Sequence, residues 1–156
     1  MTWKDRNERN CYAESLSNRN HGTLGVWGLQ GTRVVASESM WLQPLKWDRE
    51  ARTAGERRRV FCASLADVFE DWQGPMETSN GVQLWKRSDD SWTTSDHYRD
   101  TVALTMDDVR SRLFKLIDVT QNLDYLLLTK RIENVERMMR CGVDRGWSRK
   151  PGAGPT

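Results

Sequence analysis

Two short apolar runs do most to limit what this chain can become. Val60-Phe61-Cys62-Ala63 and Asp124-Tyr125-Leu126-Leu127-Leu128-Thr129 show no polar alternation, the pattern of strands covered on both faces in a parallel sheet. Between them lies the chain's best amphipathic helix, Met106 to Thr120. Thr105 can cap it, Asp108 is an acidic relative of the capping box, and Val109, Leu113, Leu116 and Ile117 share one face. A second amphipathic helix, Glu133 to Cys141, follows through Val135, Met138 and Met139 and stops at Gly142. Strand, crossover helix, strand, helix predicts an α/β fold built on a parallel sheet with flanking helices. In such sheets chemistry gathers at the carboxyl ends of strands, which directs attention to Ser64–Phe69 and Thr129-Lys130-Arg131.

Upstream, Tyr12 to Asn18 reads as a helix, and Gly22, Gly25, Gly28 and Gly31 as loop. No lysine or serine follows those glycines as a phosphate loop requires. A helix is expected from Pro44 through Leu45, Trp47 and Ala51 to a stop at Gly55. Residues 71–104 are polar and erratic and read as an insertion outside the core, with Asn80-Gly81 placed to close a small hairpin. The 156 residues suit a single domain, taken here as 1–146 with a disordered tail over 147–156.

Composition narrows the function classes. No apolar run approaches the roughly 20 residues that span a bilayer, and the start of the chain has no hydrophobic segment of the signal-peptide kind. A cytoplasmic protein without membrane contact is expected. Lys and Arg number 24 against 22 Asp and Glu, so charge alone gives no reason to invoke nucleic acid. Three cysteines, an odd number, argue against a disulfide framework and leave free thiols or the remains of a metal site.

Few residues offer chemistry. Ser64 and Asp67 can hydrogen-bond a ribose or substrate at the first strand's end; equally, either can cap a short helix beginning at Val68. Thr129, Lys130 and Arg131 suit a phosphate or a carboxylate, or form a solvated turn in which Lys130 pairs with Glu133. His21 and His97 lack a second ligand at helical spacing and read as surface residues. Arg57-Arg58-Arg59 is a solvated approach to the strand or a phosphate-contacting patch. Trp85 and Trp92 anchor the core or loops, or stack on bases.

Three blocks resemble a family. Asn10-Cys11-Tyr12-Ala13-Glu14, the segment Val60 to Asp71 and the segment Leu126 to Asn134 together resemble an uncharacterised phage and prophage family with a three-cysteine motif, similar to the radical S-adenosylmethionine (radical SAM) enzymes. Gln43-Pro44-Leu45-Lys46-Trp47 fits the same family. The resemblance implies a partial (β/α) barrel, a [4Fe–4S] cluster and S-adenosylmethionine as cofactors, and Lys130 and Arg131 near the cofactor's carboxylate. It further implies three thiolates on the cluster, the fourth iron being left open for S-adenosylmethionine. In the family motif the third cysteine precedes Tyr-Ala-Glu, which places Cys11 as a metal ligand. The second position falls on Glu8 and the first before Met1. The expectation is a truncated or degenerate member that binds neither cofactor by itself. A nucleic-acid-binding phage accessory protein without catalysis is the alternative, and a phage-encoded partner protein fits either reading.

Overall fold

The computed structural model describes residues 12–28, 31–62, 66–97 and 99–143. In order come α1 (Tyr12–Arg19), α2 (His21–Leu24), β1 (Arg33–Val34), α3 (Glu38–Ala54), β2 (Arg58–Cys62), β3 (Met76–Glu77), β4 (Trp85–Lys86), β5 (Trp92–Thr93), β6 (Val102–Ala103), α4 (Met106–Val119), β7 (Leu123–Leu127) and α5 (Ile132–Val143). The fold is α/β, with small parallel and antiparallel sheets and no closed barrel among the described residues. None of these helices is long and apolar enough to cross a membrane. The chain divides into two compact units, one within residues 1–46 and 72–109, the other within 47–71 and 110–156.

The first unit carries the stretch expected to lie outside the core, and that part of the reading is corrected. Met76, Leu84 and Leu104 join Val35 in a buried cluster, with Trp72, Trp92, Met106 and Val109 packed against it. The strands here are only two residues long, so no alternating pattern can develop and the sequence looks like loop. β4 is central in a three-stranded antiparallel sheet, Trp85 facing Thr93 on one side and Ala103 on the other. β1 and β3 form a separate parallel pair. The Asn80-Gly81 hairpin is present: Gly81 has φ +72, Thr78 N–H donates to Val82 O at 2.9 Å, and Leu84 N–H donates to Met76 O at 2.8 Å. Trp92, one of the tryptophans considered for base stacking, meets Trp41 edge to face at 6.1 Å.

α3 begins at Glu38, not at Pro44. The Ser37 carbonyl accepts from Met40 N–H and Trp41 N–H, so the first turn closes before the proline. Pro44 therefore lies inside the helix, where it removes one intrahelical donor. The far end is as expected. Gly55 has φ +65, its N–H donates to Arg52 O, and Glu56 N–H donates to Ala51 O, a Schellman stop that needs the left-handed residue.

The capping box of α4 is also present. Asp108 N–H donates to Thr105 Oγ1 at 3.2 Å, Thr105 N–H donates to Asp108 Oδ2 at 3.0 Å, and Lys86 Nζ lies 2.6 Å from Asp108 Oδ1. Burial raises the Asp108 pKa, but the hydrogen bonds from Lys86 and Thr105 outweigh it and hold the carboxyl below the usual range. A carboxyl depressed in the folded state stabilises above its unfolded pKa, about 4, and loses that contribution as pH falls through the folded value. Asp108→Asn is expected to lower the melting temperature at pH 7, with the gap to wild type closing below about pH 4. Thermal unfolding followed across that pH range measures it.

In the second unit β2 and β7 pair in parallel from Arg58↔Leu123 to Cys62↔Leu127. Two anchors set this register. Arg57 binds the Asp124 carboxylate and the Gln121 carbonyl, and the buried Asp48 carboxylate accepts Asn122 N–H at 2.8 Å and Asn122 Nδ2 at 3.0 Å. The expected two-sided burial is corrected. Burial alternates along β2, and on the outer face Phe61 is 57% and its neighbour Leu126 47% exposed. An apolar run marks strand propensity; it does not say how many faces are covered.

Candidate functional site

The carboxyl ends of β2 and β7 bring together most of the residues singled out by position. Beyond β2 the chain turns at Asp67. Its Oδ1 accepts Phe69 N–H at 3.0 Å, and Glu70 N–H donates to its backbone carbonyl at 3.1 Å. This is a side-chain-capped turn, not the start of the short helix considered at Val68. Ser64 lies outside the described residues.

Asp67 is the hub. Thr129 Oγ1 donates to Oδ1 at 2.8 Å, Lys130 N–H donates to Oδ2 at 3.1 Å, and Arg131 Nη1 donates to Oδ2 at 2.9 Å. The guanidinium's other terminal nitrogen, Nη2, reaches Glu70 Oε1 at 3.1 Å. Thr129 Oγ1 also accepts Arg131 N–H at 2.9 Å, which fixes the turn leading into α5. Burial raises the Asp67 pKa, and the bonds from Thr129, Lys130, Phe69 and Arg131 overcome it, so the carboxyl lies below its usual range and is charged at neutral pH. Asp67, Thr129, the Lys130 amide and Arg131 thus form one cluster. The Lys130 side chain itself is exposed.

Sequence reasoning missed Arg110. It lies on α4 one turn from Leu113, is 5% exposed, and donates from Nε to Val68 O at 2.8 Å and from Nη2 to Glu70 O at 2.9 Å. Asn134 and Arg137 of α5 complete the surround: Asn134 Nδ2 donates to Phe69 O and Arg137 pairs with Asp71, both at 3.0 Å. A charged residue interrupting an apolar helix face was the available signal. Of the basic run at the other end of the strands, Arg57 is bound to Asp124 and Arg58 to Glu50 and Glu56. His21 and His97 are exposed, as expected of surface residues.

The model of a family described as protein of unknown function (DUF5131) matches residues 6–90. The chain belongs to the DUF5131 family. No curated protein and no solved structure matches it. The matched stretch of this DUF5131 chain includes Asp67 and Arg57–Arg59; Thr129–Arg131 and Arg110 lie beyond it. Among the described residues no group of three or more His, Cys, Asp or Glu side chains is placed to hold a metal ion. Burial pushes the Cys62 thiol up and favours its neutral form. Cys11 lies outside the described residues, and Cys141 falls in α5.

Proposed function

We propose that this DUF5131 chain is a phage-lineage relative of the radical SAM enzymes that retains strand-end architecture but lacks the ligands to build the cluster, and so does not itself cleave S-adenosylmethionine. The observation that carries this reading is the donor set. Three thiolates are required, and Glu8 stands where the motif's second cysteine falls. The parallel pairing of β2 with β7, and the gathering of Asp67, Thr129 and Arg131 at the strand ends, support descent from a β/α architecture. The nucleic-acid alternative draws less support, because Arg57 and Arg58 are engaged by carboxylates and Trp92 packs against Trp41.

Anaerobic reconstitution of the 156-residue protein with ferrous iron and sulfide is the direct test. After desalting, the expected product is colourless, without the charge-transfer absorption of an iron–sulfur cluster. A stable brown species holding four irons and four sulfides per chain would overturn the proposal.

A further inference from the structure

Residues 66–71 contain no helix or strand, yet they are tied to three neighbouring parts of their unit. The first tie joins Asp67 and Glu70 to Thr129, Lys130 N–H and Arg131. The second comes from Arg110 of α4, which donates to the Val68 and Glu70 carbonyls. The third comes from α5, through Asn134 on the Phe69 carbonyl and Arg137 on Asp71. Val68 and Phe69 are buried beneath these bonds. A segment without regular structure is ordinarily drawn from the low-stability end of a protein; this one carries more side-chain bonds than either strand beside it.

The ties are not equal. Those to Arg110 and Asn134 use backbone carbonyls of residues 68–70, whereas the ties from Thr129 Oγ1, Lys130 N–H and Arg131 Nη1 converge on the two oxygens of the Asp67 carboxylate, with Arg131 Nη2 on Glu70 beside them. Each is a hydrogen bond to a charged acceptor, about twice as strong as a neutral one. Losing that charge therefore weakens the bonds from Thr129 Oγ1, Lys130 N–H and one arm of Arg131 together, while Arg110 still holds the other end of the segment. We infer that residues 66–71 form a strap hinged on Arg110, and that Asp67 is the catch that closes it onto the β7–α5 turn. Asp67 is a positioning residue in this device. The catch lies at the carboxyl ends of both strands, where α/β sheets take their ligands, and its release is the event that turns the Thr129 hydroxyl, the Lys130 amide and the Arg131 guanidinium outward as donors.

Amide hydrogen exchange on the full chain, resolved residue by residue by NMR, tests the inference. The Phe69 and Lys130 amides donate directly to Asp67, and the Arg131 amide donates to Thr129 Oγ1. In Asp67→Asn these three amides are expected to exchange roughly 10 to 100 times faster than in wild type, the loss of charge-assisted bonds at a shared acceptor. The β2–β7 ladder amides should change several-fold less. Thr129→Val, which keeps the carboxylate and removes only the hydroxyl, should accelerate Lys130 and Arg131 in the same direction and serves if Asp67→Asn does not fold. Unchanged rates at the three amides overturn the inference. So does an equal acceleration across the β2–β7 ladder, which would make Asp67 a contributor to global stability and not a local catch.

Discussion

Leu104→Ala is expected to lower the unfolding free energy by about 3 to 4 kcal/mol, with a fall in melting temperature of about 10 °C. Leu104 is 1% exposed and packs in the cluster with Val35, Met76 and Leu84. Its N–H donates to Leu84 O at 3.1 Å, which pins the backbone and limits how far the site can collapse around the missing atoms. The cost therefore includes a cavity as well as lost transfer energy. Val102, two residues earlier on β6, is 58% exposed, and Val102→Ala should cost less than about 0.5 kcal/mol. Urea denaturation of both variants measures the contrast. Equal losses would mean that the 72–109 stretch does not hold the first unit's core.

Arg110→Met should be almost as damaging in the second unit, costing about 2 to 4 kcal/mol. Methionine keeps most of the buried stem's volume, so packing is largely preserved and the measurement isolates the donors. What is lost is the pair of charge-assisted bonds to the Val68 and Glu70 carbonyls. Leaving buried carbonyls without a donor costs more than the bonds contribute net when present. Arg110→Lys should recover only part of the loss, since an ammonium cannot reproduce the geometry by which two guanidinium nitrogens serve two carbonyls. Chemical denaturation of the three proteins gives the order; a methionine variant as stable as wild type would refute the assignment.

Local chemistry was legible in the sequence wherever a few adjacent residues decide it. Thr105 with Asp108, Asn80 with Gly81, and Gly55 after α3 each specify a cap or turn through their own side chain or backbone freedom, and each occurs as read. Pro44 misled because proline marks a first turn as a tendency, and Ser37 had already started the helix. The core at Met76, Leu84 and Leu104 was hidden by strands too short to show a period. The position of the candidate site followed from topology alone, since parallel strands place their carboxyl ends side by side. Its internal pairing did not follow. The Asp67–Thr129 and Asp67–Arg131 bonds join residues 62 and 64 apart in sequence, and nothing local to either segment chooses the partner.

That separation also sets the order in which the chain can fold. The turns at 78–82 and 87–91 close between near neighbours and can form within microseconds. β2 and β7 must first bring together residues such as Arg57 and Asp124, 67 positions apart, and pairing of that range is intrinsically slow. Until it is complete, the Val60-Phe61-Cys62 strand waits with its backbone unpaired beside apolar side chains, the state most open to pairing with another chain. Arg57 immediately precedes β2, and Arg58 and Arg59 are its first two residues. Three like charges at its entrance repel a second copy approaching in register, so Arg57, which pairs with Asp124 in the finished fold, and Arg58, which pairs with Glu50 and Glu56, join Arg59 in guarding the unfinished strand against aggregation.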